Sequence, residues 1–194
     1  MNEPLRNELL SMRDEDLRVR QELLDAGELG GHYVPRMEAV HTKNASRLRE
    51  IIADQGWPDE PLVGADGAEA AWLIVQHAIG EPDFQRDVLK LLRESTASNR
   101  IPAWHAAYLE DRIALYENRP QRFGTQWIDD PRDGRARPWL LADPQRVDEL
   151  RAGVGLKPLA PIPGPGPDLP SETQHEMLEN ERWWKTWLAS RGWR

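Results

Sequence analysis

Cysteine is absent from the 194 residues. Disulfides, thiolate metal sites and cysteine nucleophiles are therefore excluded, and the chain suits a reducing compartment. A basic excess is absent too: 25 Lys and Arg stand against 33 Asp and Glu, a net charge of −8. With no basic stripe, that balance opposes binding to a nucleic-acid backbone. No apolar run approaches the roughly 20 residues of a membrane span. The opening Met1-Asn2-Glu3-Pro4-Leu5-Arg6 lacks the basic and apolar regions of a signal peptide. These absences predict a cytoplasmic protein that engages neither nucleic acid nor membrane. There is also no phosphate-cradling Gly-rich loop with its lysine, no Gly-x-Ser-x-Gly elbow and no His-Glu-x-x-His. No cofactor is implied.

What is present is helical periodicity. Residues 3–26 read as an amphipathic helix with Leu5, Leu9, Met12 and the heptad-spaced Leu10, Leu17 and Leu24. A second helix runs from about Arg36 to Gln55 and stops at Gly56. Asp66 is the expected N-cap of a third, from Gly67 to about Ile79, which is apolar on nearly every side and so belongs inside a bundle. A fourth opens near Pro82, with Phe84, Val88, Leu91 and Leu92 on one face. A fifth opens near Pro102 and is expected to turn Trp104, Ala107, Tyr108 and Leu115 inward. Residues 119–143 read as a long irregular loop, after which Asp143-Pro144 opens a short helix.

The stretch from Lys157 to Pro170 holds six prolines and two glycines, which excludes regular helix or central strand. Beyond it, Ser171 and Gln174 form an expected capping box for a last helix containing Trp183, Trp184 and Trp187. No segment reads as a strand. The fold predicted is all-α: an irregular multi-helix bundle over residues 1–157, a Pro-rich strap over 158–170 and a Trp-rich C-terminal helix over 171–194.

Several polar residues fall where this periodicity asks for apolar ones. Asn44 lies in the centre of the arc formed by 37, 40, 48, 51 and 52, with His41 at its edge. Gln76 and His77 sit in the apolar third helix, and Asp111 lies between Trp104, Ala107, Tyr108 and Leu115. Burying such groups unpaired costs a few kcal/mol each. Arg112 is placed to hold an acidic group, and Gly124-Thr125-Gln126 offers hydroxyl and amide groups on a loop. Each has an ordinary structural alternative: a bonded core histidine, an asparagine tying down a loop, a buried Asp–Arg clamp, a self-bonded turn. Together they favour one shared pocket.

The ordered series Gly56-Trp57-Pro58, Val63-Gly64, Ala70–Ala78, Asp111-Arg112, Gln121–Gln126 and Asp143–Glu149, continuing to Leu159, resembles a bacterial family rich in actinomycete members and known only as a domain of unknown function. The likeness covers about residues 5–160. It implies no activity; in that family the chain tends to stop soon after the segment matching 155–159, so the Trp-rich helix is an addition.

The pocket expected is walled by His41, Asn44, Gln76, His77, Asp111, Arg112, Thr125 and Gln126. His77 is its expected general acid or base and Asp111 the group that orients it. Asn44, Gln76 and Gln126 would hold the substrate or a developing oxyanion, and Arg112 an acidic group. The substrate class is a small polar molecule or peptide, with a non-catalytic ligand-binding or interaction module as the alternative. A metal site of His41, His77 and Asp111 has the right residue types, but no spacing specifies it, and no tightly bound transition metal is expected. Trp183, Trp184 and Trp187 are expected to dock the last helix on its own bundle, on a second copy in a homodimer, or on another protein.

Overall fold

The computed structural model describes residues 1–97 and 101–194. Among them run α1 (Glu3–Asp25), α2 (Pro35–Gln55), α3 (Glu60–His77), α4 (Pro82–Ala97), α5 (Ala103–Tyr116), α6 (Val147–Gly153) and α7 (Ser171–Ser190). One antiparallel ribbon, β1 (Trp127–Asp129) with β2 (Ala136–Pro138), is the only sheet among the described residues. The chain is a mostly helical multi-helix protein, as its periodicity predicts. It forms two compact units, Met1–Ile101 and Pro102–Arg194.

In the first unit α1, α2 and α3 pack on one another, and α4 packs on α3. Asn2 caps α1 by accepting from the Leu5 N–H at 3.2 Å. The buried side of α1 is Leu5, Leu9, Asp16, Val19 and Leu23, whose steps of three, four and seven keep them on one face. The heptad row is not the core row: Leu17 and Leu24 are exposed. α2 buries Met37, His41, Asn44, Ala45, Leu48 and Ile51, and ends at Gly56, whose φ of 77° favours glycine.

The third helix begins earlier than Asp66. Asp59 is its N-cap, accepting from the Leu62 N–H at 3.2 Å, and Gly64 (φ 75°) then breaks the helix before it resumes. Asp66 follows that break, where its carboxylate accepts from the Gly67 N–H at 2.9 Å and from Arg6 Nε at 2.8 Å. Gly67, Ala70 and Ala71 are buried, and such small side chains let a central helix approach its neighbours closely. From α4, the buried Gln85 donates Nε2 to the Val75 carbonyl at 2.7 Å.

In the second unit α5 buries His105, Ala106, Ala107, Leu109, Asp111, Ile113 and Ala114, while Trp104, Tyr108 and Leu115 are half-buried. Its inward face is thus rotated from the expected one, although Ala107 and Asp111 belong to both. The strands escape sequence reading because each is three residues long, too short for alternation to register. α6 starts at Val147, after a turn in which Asp143 Oδ1 accepts from the Gln145 and Arg146 N–H groups.

The Pro-rich strap is pinned to the ribbon and its turn. The Gly164 carbonyl accepts from Arg135 Nη1 at 3.0 Å, and the Gly166 N–H donates to Asp133 Oδ2 at 2.7 Å. The Leu169 N–H reaches the Arg132 carbonyl at 2.8 Å. The expected capping box does not form: Pro170 is the N-cap of α7, and Gln174 turns its Nε2 to the Leu169 carbonyl at 2.8 Å.

Trp183, Trp184 and Trp187 are half-buried and pack on one another, with ring centroids 5.3 to 6.2 Å apart. The buried aromatic of the tail is Trp193, 3% exposed, against Tyr116 at 5.1 Å. Truncation after Pro170 removes that contact and is expected to lower the melting temperature or to change the mass in solution. A truncated chain unchanged in both would show that the tail contributes nothing to either.

Candidate functional site

Three helices of the first unit bring Asp16, His41 and His77 together. Asp16 stands on the buried stripe of α1 and is 1% exposed. His41 lies on the buried face of α2, one turn before Asn44. His77 is the last residue of α3, where Ala78 (φ −73°, ψ 48°) leaves helical geometry, so its side chain stays 25% exposed. His77 Nδ1 is 2.9 Å from Asp16 Oδ2, in hydrogen-bonding geometry. His41 Nε2 is 3.3 Å from the same oxygen, within ion-pair reach but not aligned as a hydrogen bond. The two imidazole centroids are 5.1 Å apart. Tyr33 stacks on His41 at 5.7 Å and bonds its Nδ1 through the phenol hydroxyl.

Burial is the largest influence on Asp16, and it opposes ionisation. The contacts from His41 and His77, with their charges, outweigh it and hold the carboxyl well below the usual carboxylate range. Asp16 is therefore an anion at neutral pH, enclosed by two imidazoles. A carboxylate can only accept, so the proton in the 2.9 Å bond belongs to His77 Nδ1. In neutral His77 that leaves Nε2 with a bare lone pair, on a ring that reaches solvent.

The other predicted residues take different places. Asn44 is buried and donates Nδ2 to the Met12 carbonyl at 3.1 Å, tying α2 to α1. Gln76 is buried beside His77 in α3. A groove of about 480 Å³ between α1 and α2 is lined by Glu8, Met12, Lys43, Asn44, Ser46, Arg47 and Glu50; among the predicted residues it includes Asn44 alone. Thus His41, Asn44, Gln76 and His77 belong to Met1–Ile101, whereas Asp111, Arg112, Thr125 and Gln126 belong to Pro102–Arg194.

In that second unit Asp111 organises its own loop. Its carboxylate accepts from the N–H groups of Arg122 (2.8 Å), Phe123 (3.1 Å) and Thr125 (3.0 Å), and from Thr125 Oγ1 (3.0 Å). Burial pushes the Asp111 carboxyl up, against the pull of those donors. Gln126 Nε2 donates to Thr125 Oγ1 at 3.1 Å, and Gln121 brackets the loop, accepting from the Gln126 N–H and donating to the Gln126 carbonyl, both at 2.9 Å. Arg112 donates Nη1 to the Tyr116 hydroxyl at 3.4 Å. Gly124 turns this loop with φ 63°, and a Cβ there would lie 2.8 Å from Leu159 Cδ1. Gly124→Ala is expected to cost about 1–3 kcal/mol in denaturant unfolding. A loss under about 0.5 kcal/mol would show that the loop relaxes freely.

Asp16 is the residue that sequence reasoning passed over. The signal for it was the one that found Asn44 and Asp111: a polar side chain on an apolar row, here Leu5, Leu9, Met12, Asp16, Val19 and Leu23. It also bears on the expectation of no tightly bound metal, which rested on the absence of cysteine and on two histidines whose spacing fixes no ligand geometry. Asp16 supplies a third group: one ligand atom from each of Asp16, His41 and His77 lies within 4.8 Å of the others.

The chain is thus a mostly helical protein with an Asp–His–His cluster built on a buried carboxylate. Its residues 3–162 match a family of unknown function, DUF6624, and the chain belongs to that family. The match takes in both the Asp16 cluster and the Asp111 loop and ends within the strap, so α7 lies outside it. No curated protein and no solved structure matches the chain.

Proposed function

We propose that this protein is an enzyme acting on a small polar molecule or peptide by proton transfer at His77. The observation that carries the reading is the 2.9 Å bond from His77 Nδ1 to a fully buried carboxylate, on an imidazole whose far side is accessible. A buried carboxylate on one ring nitrogen fixes the tautomer and stabilises the imidazolium when the other nitrogen takes a proton. The orienting role expected of Asp111 passes in this reading to Asp16, because the Asp111 carboxylate is already occupied by four donors of its own loop. Asp111, Thr125 and Gln126 then serve to hold that loop.

Hydrolysis, elimination and isomerisation all use such a base. Two tests address the reading. Diethyl pyrocarbonate, which acylates an unprotonated imidazole, is expected to modify His77 faster than His41 or His105, with Asp16→Asn slowing the reaction. Against a panel of esters, amides and phosphate esters, His77→Gln is expected to lower any turnover by about 10²–10⁴-fold. Inert His77 in the first assay, or turnover indifferent to His77→Gln in the second, would remove the base from the mechanism.

A ligand-binding module without chemistry is the second reading, and the 480 Å³ groove beside Asn44 favours it. For the tail, a second copy or another protein packing on Trp183, Trp184 and Trp187 is the proposed partner, favoured by the helix having no fully buried residue. The absence of cysteine fits a cytoplasmic protein. No helix among the described residues is long and apolar enough to cross a membrane.

A further inference from the structure

We propose that Asp16, His41 and His77 bind one divalent transition-metal ion of the zinc class, through a carboxylate oxygen of Asp16, Nε2 of His41 and Nδ1 of His77. The spacing is the first argument. Ligands about 2.0–2.1 Å from a tetrahedral ion stand about 3.3 Å from one another. Here Asp16 Oδ2 is 2.9 Å from His77 Nδ1 and 3.3 Å from His41 Nε2, and one ligand atom of each residue lies within 4.8 Å of the others.

Asp16 Oδ1 and His41 Nε2 are both buried, and neither has a hydrogen-bond partner. An unmatched buried acceptor costs about 1–3 kcal/mol, more when it is charged. The arrangement around His41 sharpens the point. If His41 Nδ1–H donates to the Tyr33 oxygen, Nε2 is a bare lone pair facing a carboxylate at 3.3 Å, two electron-rich atoms with nothing between them. If Tyr33 donates instead, Nε2 carries a proton aimed away from hydrogen-bond alignment. A cation among the three groups would take up the His41 Nε2 lone pair and offset the buried charge of the Asp16 carboxylate. Tyr33 then becomes the outer partner that holds the His41 ring in its metal-ligating tautomer, the usual arrangement for a ligating histidine.

The donor set selects the ion. Two imidazoles and one carboxylate, with no thiolate, suit zinc, cobalt, nickel or ferrous iron and do not suit calcium or magnesium, which prefer all-oxygen sites. Three protein ligands leave a coordination position open, as sites that handle substrate or water do. On binding, the proton of neutral His77 moves from Nδ1 to Nε2, so no net charge is lost from the ring and its N–H points to solvent. The inference goes beyond the proton-transfer reading and does not rest on it. The proton-transfer reading describes the ion-free chain; with an ion held, the outer nitrogen of His77 would carry the ring proton in place of a lone pair.

The test uses the full chain, stripped with chelator and titrated with Zn²⁺ by calorimetry and with Co²⁺ by visible absorption. One ion per chain is expected, with intense d–d bands for cobalt in a low-symmetry site. His41→Gln and His77→Gln should each weaken uptake by about 100-fold or more, and Tyr33→Phe by about 10-fold. His32→Gln and His175→Gln should leave it unchanged. Because Asp16 is central to the core, the His77 variant, at the accessible edge, carries the test, with circular dichroism confirming its fold. Zn²⁺ should raise the melting temperature of the wild-type chain and not of His77→Gln. Absence of uptake by the wild-type chain, or uptake that survives both histidine variants, overturns the proposal. Turnover by the stripped protein that needs His77, without any ion uptake, overturns it and leaves the proton-transfer reading standing. Uptake without turnover on any substrate supports the metal site alone.

Discussion

Replacing Asp111 by alanine is expected to lower the unfolding free energy by about 3–5 kcal/mol, among the largest effects of any single substitution in this chain. The carboxylate takes three backbone N–H groups and one hydroxyl from residues 122–125, and it is completely buried at the base of that loop. Alanine leaves those donors facing a void, each costing about 1–3 kcal/mol unless water enters to replace the oxygens. Asp111→Asn keeps one accepting oxygen but turns an N–H₂ group toward donors, so about half of the loss is expected to remain. Urea unfolding followed by tryptophan fluorescence reports on this directly, because Trp127 and Trp139 border the same loop, bonding the Gly124 and Arg119 carbonyls. A change under about 1 kcal/mol for the alanine variant would mean that the loop holds itself without the carboxylate.

Asp16→Asn is expected to cost about 2–4 kcal/mol at neutral pH and to change how stability depends on acid. The sign follows from the native carboxyl lying below its ordinary value. Between the unfolded value, about 3.9, and the lower native one, the unfolded chain binds a proton that the native chain does not. Stability contributed by Asp16 is therefore complete above that range and is lost as pH falls through it. The Asn variant, with no carboxyl to titrate, should start less stable and lose less between pH 5 and pH 2. Parallel acid-denaturation curves for the two proteins would remove Asp16 from this account.

Helical periodicity made most of the architecture legible, for physical reasons that also mark its limits. α2 and α4 each have one apolar face, so only one packing direction is open to them. α1 offers two rows: Leu10, Leu17 and Leu24, and the row through Leu5, Leu9 and Val19 on which Asp16 stands. Which row meets α3 depends on tertiary packing, and with both rows open Asp16 does not stand out from the other charges of the helix. Inside α3, periodicity has little to say because nearly every position is apolar; the break at Gly64 is a backbone event with no side-chain signature except the glycine itself.

Asp111 teaches a different lesson. Its place on the inward side of α5 is legible, but three of its four partners are backbone N–H groups. A backbone N–H is carried by every residue but proline, so nothing in residues 122–125 distinguishes a loop clamp from a ligand site. Asn44 is similar, since its partner is the Met12 carbonyl. His77 differs from both in facing a side chain on one nitrogen and solvent on the other, and a group with one side left open is where chemistry is most naturally sought.

The central claim is that Asp16 fixes the protonation geometry of His77, and the tautomer of that imidazole tests it most directly. Long-range ¹H–¹⁵N correlation spectra of chelator-stripped protein, recorded at alkaline pH, distinguish a protonated Nδ1 from a protonated Nε2. His77 is expected to carry its proton on Nδ1 in the wild-type chain and to lose that preference in Asp16→Asn. A His77 protonated on Nε2 in the wild-type protein, or one whose tautomer is unchanged by Asp16→Asn, would contradict that claim.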